Sequence, residues 1–403
     1  MKNILLSLLL LPLLFSACST NTGKLADGKW RGTFTTPDNV EIPFIFEISN
    51  GASDSPTATL INGEERIALP NVTYRNDSVF IPITAYDAVL EAKITGDEIS
   101  GDQLKYYSDS RTPFTAKRSD APRFADNGEK AEGSLDGKWQ ITTDRAAQQI
   151  GLFTQKDSYL TGSILTVSGD YRFLEGAVQG KKFYLSTFGG LSPYLIRGEF
   201  TDVDSFTAEF ITPAGATKFE GVRNDNATLP DGYSLTSLNE GQSKLSFSLP
   251  NLDGKTVSIN DPQYQGKVVV ISILGSWCPN CLDEAAFLSP WYNENKNRGV
   301  EVIGLAFERK DEFEYAQKQL SLFKNQYSVE YEILFAGKVG KEAAEKVLPE
   351  LEKIPSYPTT IFLDKKGNVR KIHAGFNGPA TGKYYEEFKV EFNKTIDELL
   401  SEE

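Results

Sequence analysis

Apolar and polar positions divide this chain into two textures. Between about residues 25 and 226, stretches such as VEIPFIFEIS, SVFIPITAY, KFYLSTF and FTAEFIT alternate with a period of two and favour β-branched and aromatic residues. NG, GD and DG pairs punctuate them, which is the chemistry of tight hairpin turns. Antiparallel strands are predicted there, and no helix. From about Gln242 the period changes. LSFSLPNLDGKTVSI reads as a hairpin, and KVVVISIL (Lys267 to Leu274) is a continuous apolar run of the kind buried on both faces of a sheet. CPNCLDEAAFLSPWYNENK then has helical spacing through Cys281, Ala285 and Leu288. A strand (VEVIGLAF), a helix (KDEFEYAQKQLSLFKNQ), a strand (YEILF) and a helix (GKEAAEKVLPELEK) follow it. PTTIFLDKKGNVRKIHAGF gives two more strands, and YYEEFKVEFNKTIDELL a last helix. Alternating strands and helices imply a mixed central sheet with helices on both faces.

The front texture contains a repeat. LADGKWRGTF (Leu25 to Phe34) recurs as SLDGKWQITT (Ser134 to Thr143), and FTAKRSDAP is matched loosely by FEGVRNDNATLP. The fold class is therefore multidomain: two tandem antiparallel β modules (barrel or sandwich) over 25–120 and 134–226, followed by an α/β domain over 242–403. SDAPRFADNGEKAEGS and RNDNATLPDGYSLTSLNEGQS, which join them, are polar and read as linkers. Each module opens on Gly-x-Trp, at Trp30 and Trp139, and closes on Arg118 or Arg223. This resembles the calycin pattern, in which a last-strand arginine lies over a first-strand tryptophan as a favourable cation–π closure. A tryptophan that simply seeds a β core is the alternative.

The formal net charge of −13 argues against sequence-independent binding to nucleic acid. MKNILLSLLLLPLLFSAC begins with a basic residue, continues as an apolar run too short to span a bilayer, and ends in small residues, so it reads as a secretion signal. Its ending, LFSAC, resembles the bacterial lipoprotein cleavage box, although Phe15 stands where leucine is usual. That resemblance implies a signal peptide over 1–18, lipid on Cys18, and a polar tether from Ser19 to Ala26. An ordinary signal that contains a cysteine is the other reading. With Cys18 lipidated, the three cysteines of the chain leave one pair, Cys278 and Cys281. An exported protein of this size with one pair is not a disulfide scaffold.

That pair could clamp a metal or exchange electrons. Zinc asks for four ligands, and here one Cys pair is accompanied by a single histidine, His373, in a distant strand; no metal and no cofactor is expected. Redox exchange suits the position. A Cys-x-x-Cys between a buried strand and a helix puts Cys278 at the helix N-terminus, where orphan N–H groups and the dipole favour a thiolate. Cys281 lies one turn further in. Cys278 is expected to attack a disulfide and Cys281 to resolve the mixed disulfide. Pro279 occupies the first turn, where its missing N–H costs nothing.

KVVVISILGSWCPNC followed by YPTTIFLDKKGNV resembles the thioredoxin fold, and within it the membrane-anchored, extracytoplasmic thiol-disulfide oxidoreductases of the TlpA/ResA type. The resemblance covers 242–403 and leaves the β modules unexplained. It implies that Pro358 is the cis-proline beside the dithiol and that Tyr357 presents its backbone to an extended substrate strand, with Trp277 and Pro279 also in the substrate site. It also implies that Glu284 serves the second thiol, raising its pKa and relaying its proton. The bland reading of Glu284 is an exposed acid in a first helical turn. Ser272 stands where thioredoxin itself has a buried aspartate, Ala286 where a helix proline is common, and Asn280 where a second proline is usual. Gly375 and Phe376 are placed to line the substrate groove; His373 is expected to have no catalytic role.

The implied function is a lipoprotein disulfide reductase of the cell envelope, facing the periplasm and recharged by a membrane electron donor of the thiol-disulfide interchange type. Its partners would be cysteine-containing exported proteins; apocytochrome c is the family's best-known client. Two rivals stand beside it. A peroxiredoxin-like peroxidase would need a threonine three residues before the nucleophile, where this chain has Gly275. A surface ligand-binding lipoprotein would place the work in the β modules, with the redox domain as an accessory.

Overall fold

The computed structural model describes residues 23–143 and 148–402. The signal segment and Cys18 lie outside the described residues. Lys24 and Leu25 do not behave as tether: the lysine bonds the Ala52 and Ser53 carbonyls, and Leu25 is buried in the first core.

Module 1 is one antiparallel sheet of nine strands, from Gly28–Thr35 to Ser110–Arg118. Its edges, Glu65–Leu69 and Thr73–Arg75, lie at opposite ends of the strand order, so it is an open half-barrel. Module 2 closes, because Gln149–Lys156 pairs with both Gly137–Thr143 and Tyr159–Thr166. Both copies build the same corner. Trp30 and Trp139 are fully buried, and their indole N–H groups donate to Ala26 O (3.1 Å) and Leu135 O (2.7 Å). Each tryptophan lies in register with its arginine, Arg118 or Arg223. In module 2 the Arg223 guanidinium sits 4.5 Å over the indole; in module 1 Arg118 donates to Asp27 O at 3.0 Å. The glycine of each Gly-x-Trp has positive φ (+113° and +104°), a conformation that other residues rarely adopt.

Two segments expected as linkers are packed instead. Arg123 is buried, and its guanidinium donates to Pro43 O, Ile61 O and Asn62 of module 1 and to Glu175 and Ser186 of module 2. The second segment carries Thr236 against Lys353 O, Tyr233 against His373, and a bridge from Leu238 to Leu351. Polar composition was a poor guide here because these polar groups are satisfied by neighbouring domains rather than by water.

The C-terminal domain has a five-stranded sheet. Val268–Leu274, buried at every position, lies at its centre, parallel to Val300–Glu308 and antiparallel to Thr359–Leu363. Glu332–Lys338 and Val369–Ala374 form the edges. Helices α1 (Pro279–Asn295), α2 (Phe313–Gln326), α3 (Lys341–Val347) and α4 (Lys383–Ser401) complete it. The third is half the predicted length: it stops before Leu348-Pro349, since the residue preceding a proline is pushed out of helical space. No helix among the described residues is long and apolar enough to cross a membrane.

Candidate active site

The buried strand Val268–Leu274 ends at Gly275, and the chain turns through Ser276 and Trp277 into α1. Cys278 is the N-cap of that helix, and Pro279 its first residue. Both thiols are free and buried, Cys278 at 5% exposure and Cys281 at 1%. Cys278 Sγ accepts from Cys281 N–H at 3.4 Å and donates to Tyr357 O at 3.2 Å. The Tyr357–Pro358 bond is cis, and Pro358 O receives Gly375 N–H at 2.9 Å. The Trp277 ring packs 5.5 Å from that of Tyr357, and its indole donates to Phe307 O. The structure thus brings Trp277, Cys278, Pro279, Cys281, Tyr357 and Pro358 together.

Glu284 is not an exposed first-turn acid. It is buried behind Cys281 and accepts from Ser272 Oγ (2.5 Å) and Thr360 Oγ1 (2.6 Å). Burial raises its pKa, and the two hydrogen bonds oppose that. Burial also pushes the Cys281 thiol well up, with Cys278 and Glu284 adding to the effect. Ser272, at the position where thioredoxin has its aspartate, has therefore become a ligand of the glutamate. Phe376 does not line a groove: it is 1% exposed and packs edge-on to Phe388. His373 is half-buried, its ring packed against Tyr233 and Phe388, and the loss of solvent holds its pKa down to about 4.

The structure adds residues that the sequence reading missed. Glu308 closes the strand Val300–Glu308 and holds Ser276 by its N–H (2.9 Å) and hydroxyl (3.0 Å), fixing the loop before Trp277. Burial lifts its carboxyl to about 7. The available signal was an acid at the end of an otherwise apolar strand. Arg172 of module 2 bonds Pro279 O inside the Cys-Pro-Asn-Cys segment and pairs with Asp283 of α1. Arg309 stacks on Tyr107 of module 1 and lies 5.6 Å from the Trp277 ring. Nothing local in the sequence marks these contacts.

A dithiol at the N-cap of the helix that follows the central strand, in a sheet of this order, defines a thiol-disulfide oxidoreductase of the thioredoxin fold. Residues 241–372 match the AhpC/TSA family. The thioredoxin-like protein YneN of Bacillus subtilis is 31% identical over 138 residues, 34% of this chain and 73% of that one. A thiol-disulfide oxidoreductase ResA of Bacillus thuringiensis is 28% identical over 144 residues, 35% of this chain and 75% of its own. Among solved structures, a thiol:disulfide interchange protein of the thioredoxin family from Chlorobium tepidum aligns over 41% of this chain and 100% of its own, at 19% identity and a TM-score of 0.31. The chain belongs to the thioredoxin-like thiol-disulfide oxidoreductases, and that membership rests on its C-terminal third.

Proposed function

We propose that this is a lipid-anchored, extracytoplasmic reductase of disulfides in exported proteins, working through the Cys278–Cys281 dithiol. The observation that carries the reading is the placement of Cys278 Sγ at the start of α1, 3.2 Å from Tyr357 O, with Cys281 one turn behind it. In the first step the Cys278 thiolate attacks one sulfur of a substrate disulfide. A Cys278–substrate bond forms, and the other sulfur leaves as a thiol after taking a proton. Cys281 then loses its proton toward Glu284 and attacks Cys278, releasing the second substrate thiol. Two electrons pass to the substrate and the Cys278–Cys281 disulfide is left, to be reduced again by a membrane dithiol donor. Tyr357 O and the Trp277 face receive the substrate backbone, while Pro279 and Pro358 shape the floor beside the sulfur. The N-terminal signal and Cys18 support an anchor at the envelope, with the domain facing the periplasm.

The AhpC/TSA name invites a peroxidase reading, and Gly275 opposes it. A Cβ at that position would lie 2.3 Å from Trp277 Nε1 and 2.9 Å from Phe307 O, so a peroxide-orienting threonine has no room. A ligand site inside module 2 is opposed by its filled interior, where Trp139, Phe183 and Phe206 pack together. The test is a Cys281→Ala trap expressed in cells. Exported proteins are expected on Cys278 as mixed disulfides, and none in a Cys278→Ala control; an empty trap overturns the reading.

A further inference from the structure

Module 2 places a turn of its own chain against the dithiol face. Val167–Arg172 lies between the Cys-Pro-Asn-Cys segment and the loop Gly375–Gly378. Asn280 donates to Ser168 O at 3.4 Å, and Asp170 Oδ2 accepts Gly378 N–H at 2.7 Å. Gly169 sits so close that a Cβ there would lie 1.9 Å from Asn280 Nδ2 and 2.9 Å from Phe376 O. Gly375 faces the same turn, 2.9 Å from Val167 O by the same measure. One side of the approach to Cys278, between Asn280 and the Gly375 loop, is thus occupied by the protein itself.

Arg172 holds the turn in place. It has φ +56°, unusual for a residue with a side chain, and its guanidinium ties module 2 to both other domains. It donates to Glu65 Oε1 of module 1 (2.7 and 3.0 Å), pairs with Asp283 of α1 (3.0 Å), and reaches Pro279 O (3.4 Å). Against this, the docked turn leaves Asn280 Oδ1 buried without a partner. It also keeps Asp283 in a poorly solvated place, where burial lifts its carboxyl to about 7 despite Arg172. Those two penalties are relieved when the turn leaves, so Arg172, with the Asp170–Gly378 and Asn280–Ser168 bonds, holds the contact against local costs, as a releasable element would be held.

We infer that the turn Val167–Arg172 is a specificity element of the dithiol site: latched by Arg172, it excludes folded protein disulfides from Cys278 while small disulfides still react. This rests on the dithiol reading above. When the turn is released, a substrate strand takes the place beside Asn280 and Gly375 that the turn held. The apparent rate with a protein substrate then scales with the fraction of molecules that are open.

The test uses the reduced full-length protein with two probes, insulin as the protein disulfide and 5,5′-dithiobis(2-nitrobenzoate) as the small one. Arg172→Ala is expected to raise the insulin rate by about tenfold and leave the small-probe rate within about twofold, as for a gate freed from a mostly closed state. Gly169→Val expels the turn sterically with every charge in place, and should do the same; it decides the matter if the arginine variant does not fold. An unchanged or lower ratio of insulin rate to small-probe rate in a folded variant overturns the inference. A wild-type protein that reduces neither probe, or a Cys278→Ala protein that still reduces them, overturns the dithiol reading instead.

Discussion

Two buried carboxylates stand behind the dithiol, and they are held for different ends. Glu284 is bonded by two hydroxyls and adds to the raised pKa of Cys281; Glu308 holds Ser276. With Cys281 pushed well up by burial, its thiolate is scarce at neutral pH, and resolution needs a base. Glu284→Gln keeps the shape and removes the proposed proton acceptor. We expect resolution to slow on the order of a hundredfold at pH 7 while attack by Cys278 is little changed. Rapid acid quench should then show the mixed disulfide accumulating, and the loss should shrink as pH rises and solvent base takes over. Equal slowing of both steps at every pH would mean a purely structural role. Glu308 bears on stability. Its folded-state pKa of about 7 lies above the ordinary 4.5, so its contribution is fully present below 4.5 and is lost as pH rises through 7. That amounts to on the order of 3 kcal/mol across the window. Asp283 acts in the same sense, whereas His373, held down to about 4, acts oppositely between 4 and 6.5. Denaturant melts of wild type and Glu308→Gln between pH 4.5 and 7 isolate Glu308 from the other two: the variant should gain relative to wild type as pH rises. Parallel curves would refute the assignment.

At the scale of elements, module 1 cannot close its own core. Its open side is filled by Phe188, from the end of the module 2 strand Lys182–Phe188, whose ring lies 4.7 Å from Phe34 and 5.3 Å from Phe44. Phe188→Ala should cost about 3–5 kcal/mol in denaturant unfolding, and the loss should fall on module 1, which loses the plug. A loss under about 1 kcal/mol would show that the half-barrel repacks on its own. Elements whose signal is local were legible in the sequence. Val268–Leu274 was marked by its apolar run, α1 by its spacing, and the Gly-x-Trp corners by the glycine that their backbone demands. Whether nine strands stay open or close was not legible, because it depends on which edges meet and not on the pattern within any strand. The length of α3 was misjudged because periodicity outweighed Pro349. The dithiol was recognisable from its spacing and Glu284 only through the family resemblance, while the hydroxyls of Ser272 and Thr360 that bond the buried carboxylate were not foreseen, since the sequence presented Ser272 only as a missing aspartate. Phe376 was misplaced because the loop path after Val369–Ala374 is set by α4, against whose Phe388 its ring packs.

Across the whole molecule, charged side chains join the parts, a role that composition assigned to solvated linkers. Arg123 is the central case. Its side chain is 1% exposed, paired with Glu175 at 3.2 Å, and its remaining N–H groups end on carbonyl and side-chain oxygens of both modules. Each partner is itself buried or half-buried, so removing the guanidinium leaves several acceptors without donors, as well as a space. Breaking a buried pair from one side in this way typically costs about 3–5 kcal/mol. Arg123→Ala should therefore unfold earlier in denaturant by that amount. Arg123→Lys should recover little, because an ammonium cannot reach oxygens spread around a planar fork. The position of the first proteolytic cut tests the coupling more directly. In wild type, the segment 120–134 is pinned to both modules by Arg123 and by the stacking of Phe124 on Tyr184 at 5.6 Å. Freed of the arginine, it should become the first site of limited proteolysis, while Cys278 in the C-terminal domain keeps its reactivity toward small disulfides. If cleavage in the variant begins instead in the C-terminal domain, or small-disulfide reactivity falls with stability, the three parts unfold as one unit and Arg123 is not their joint.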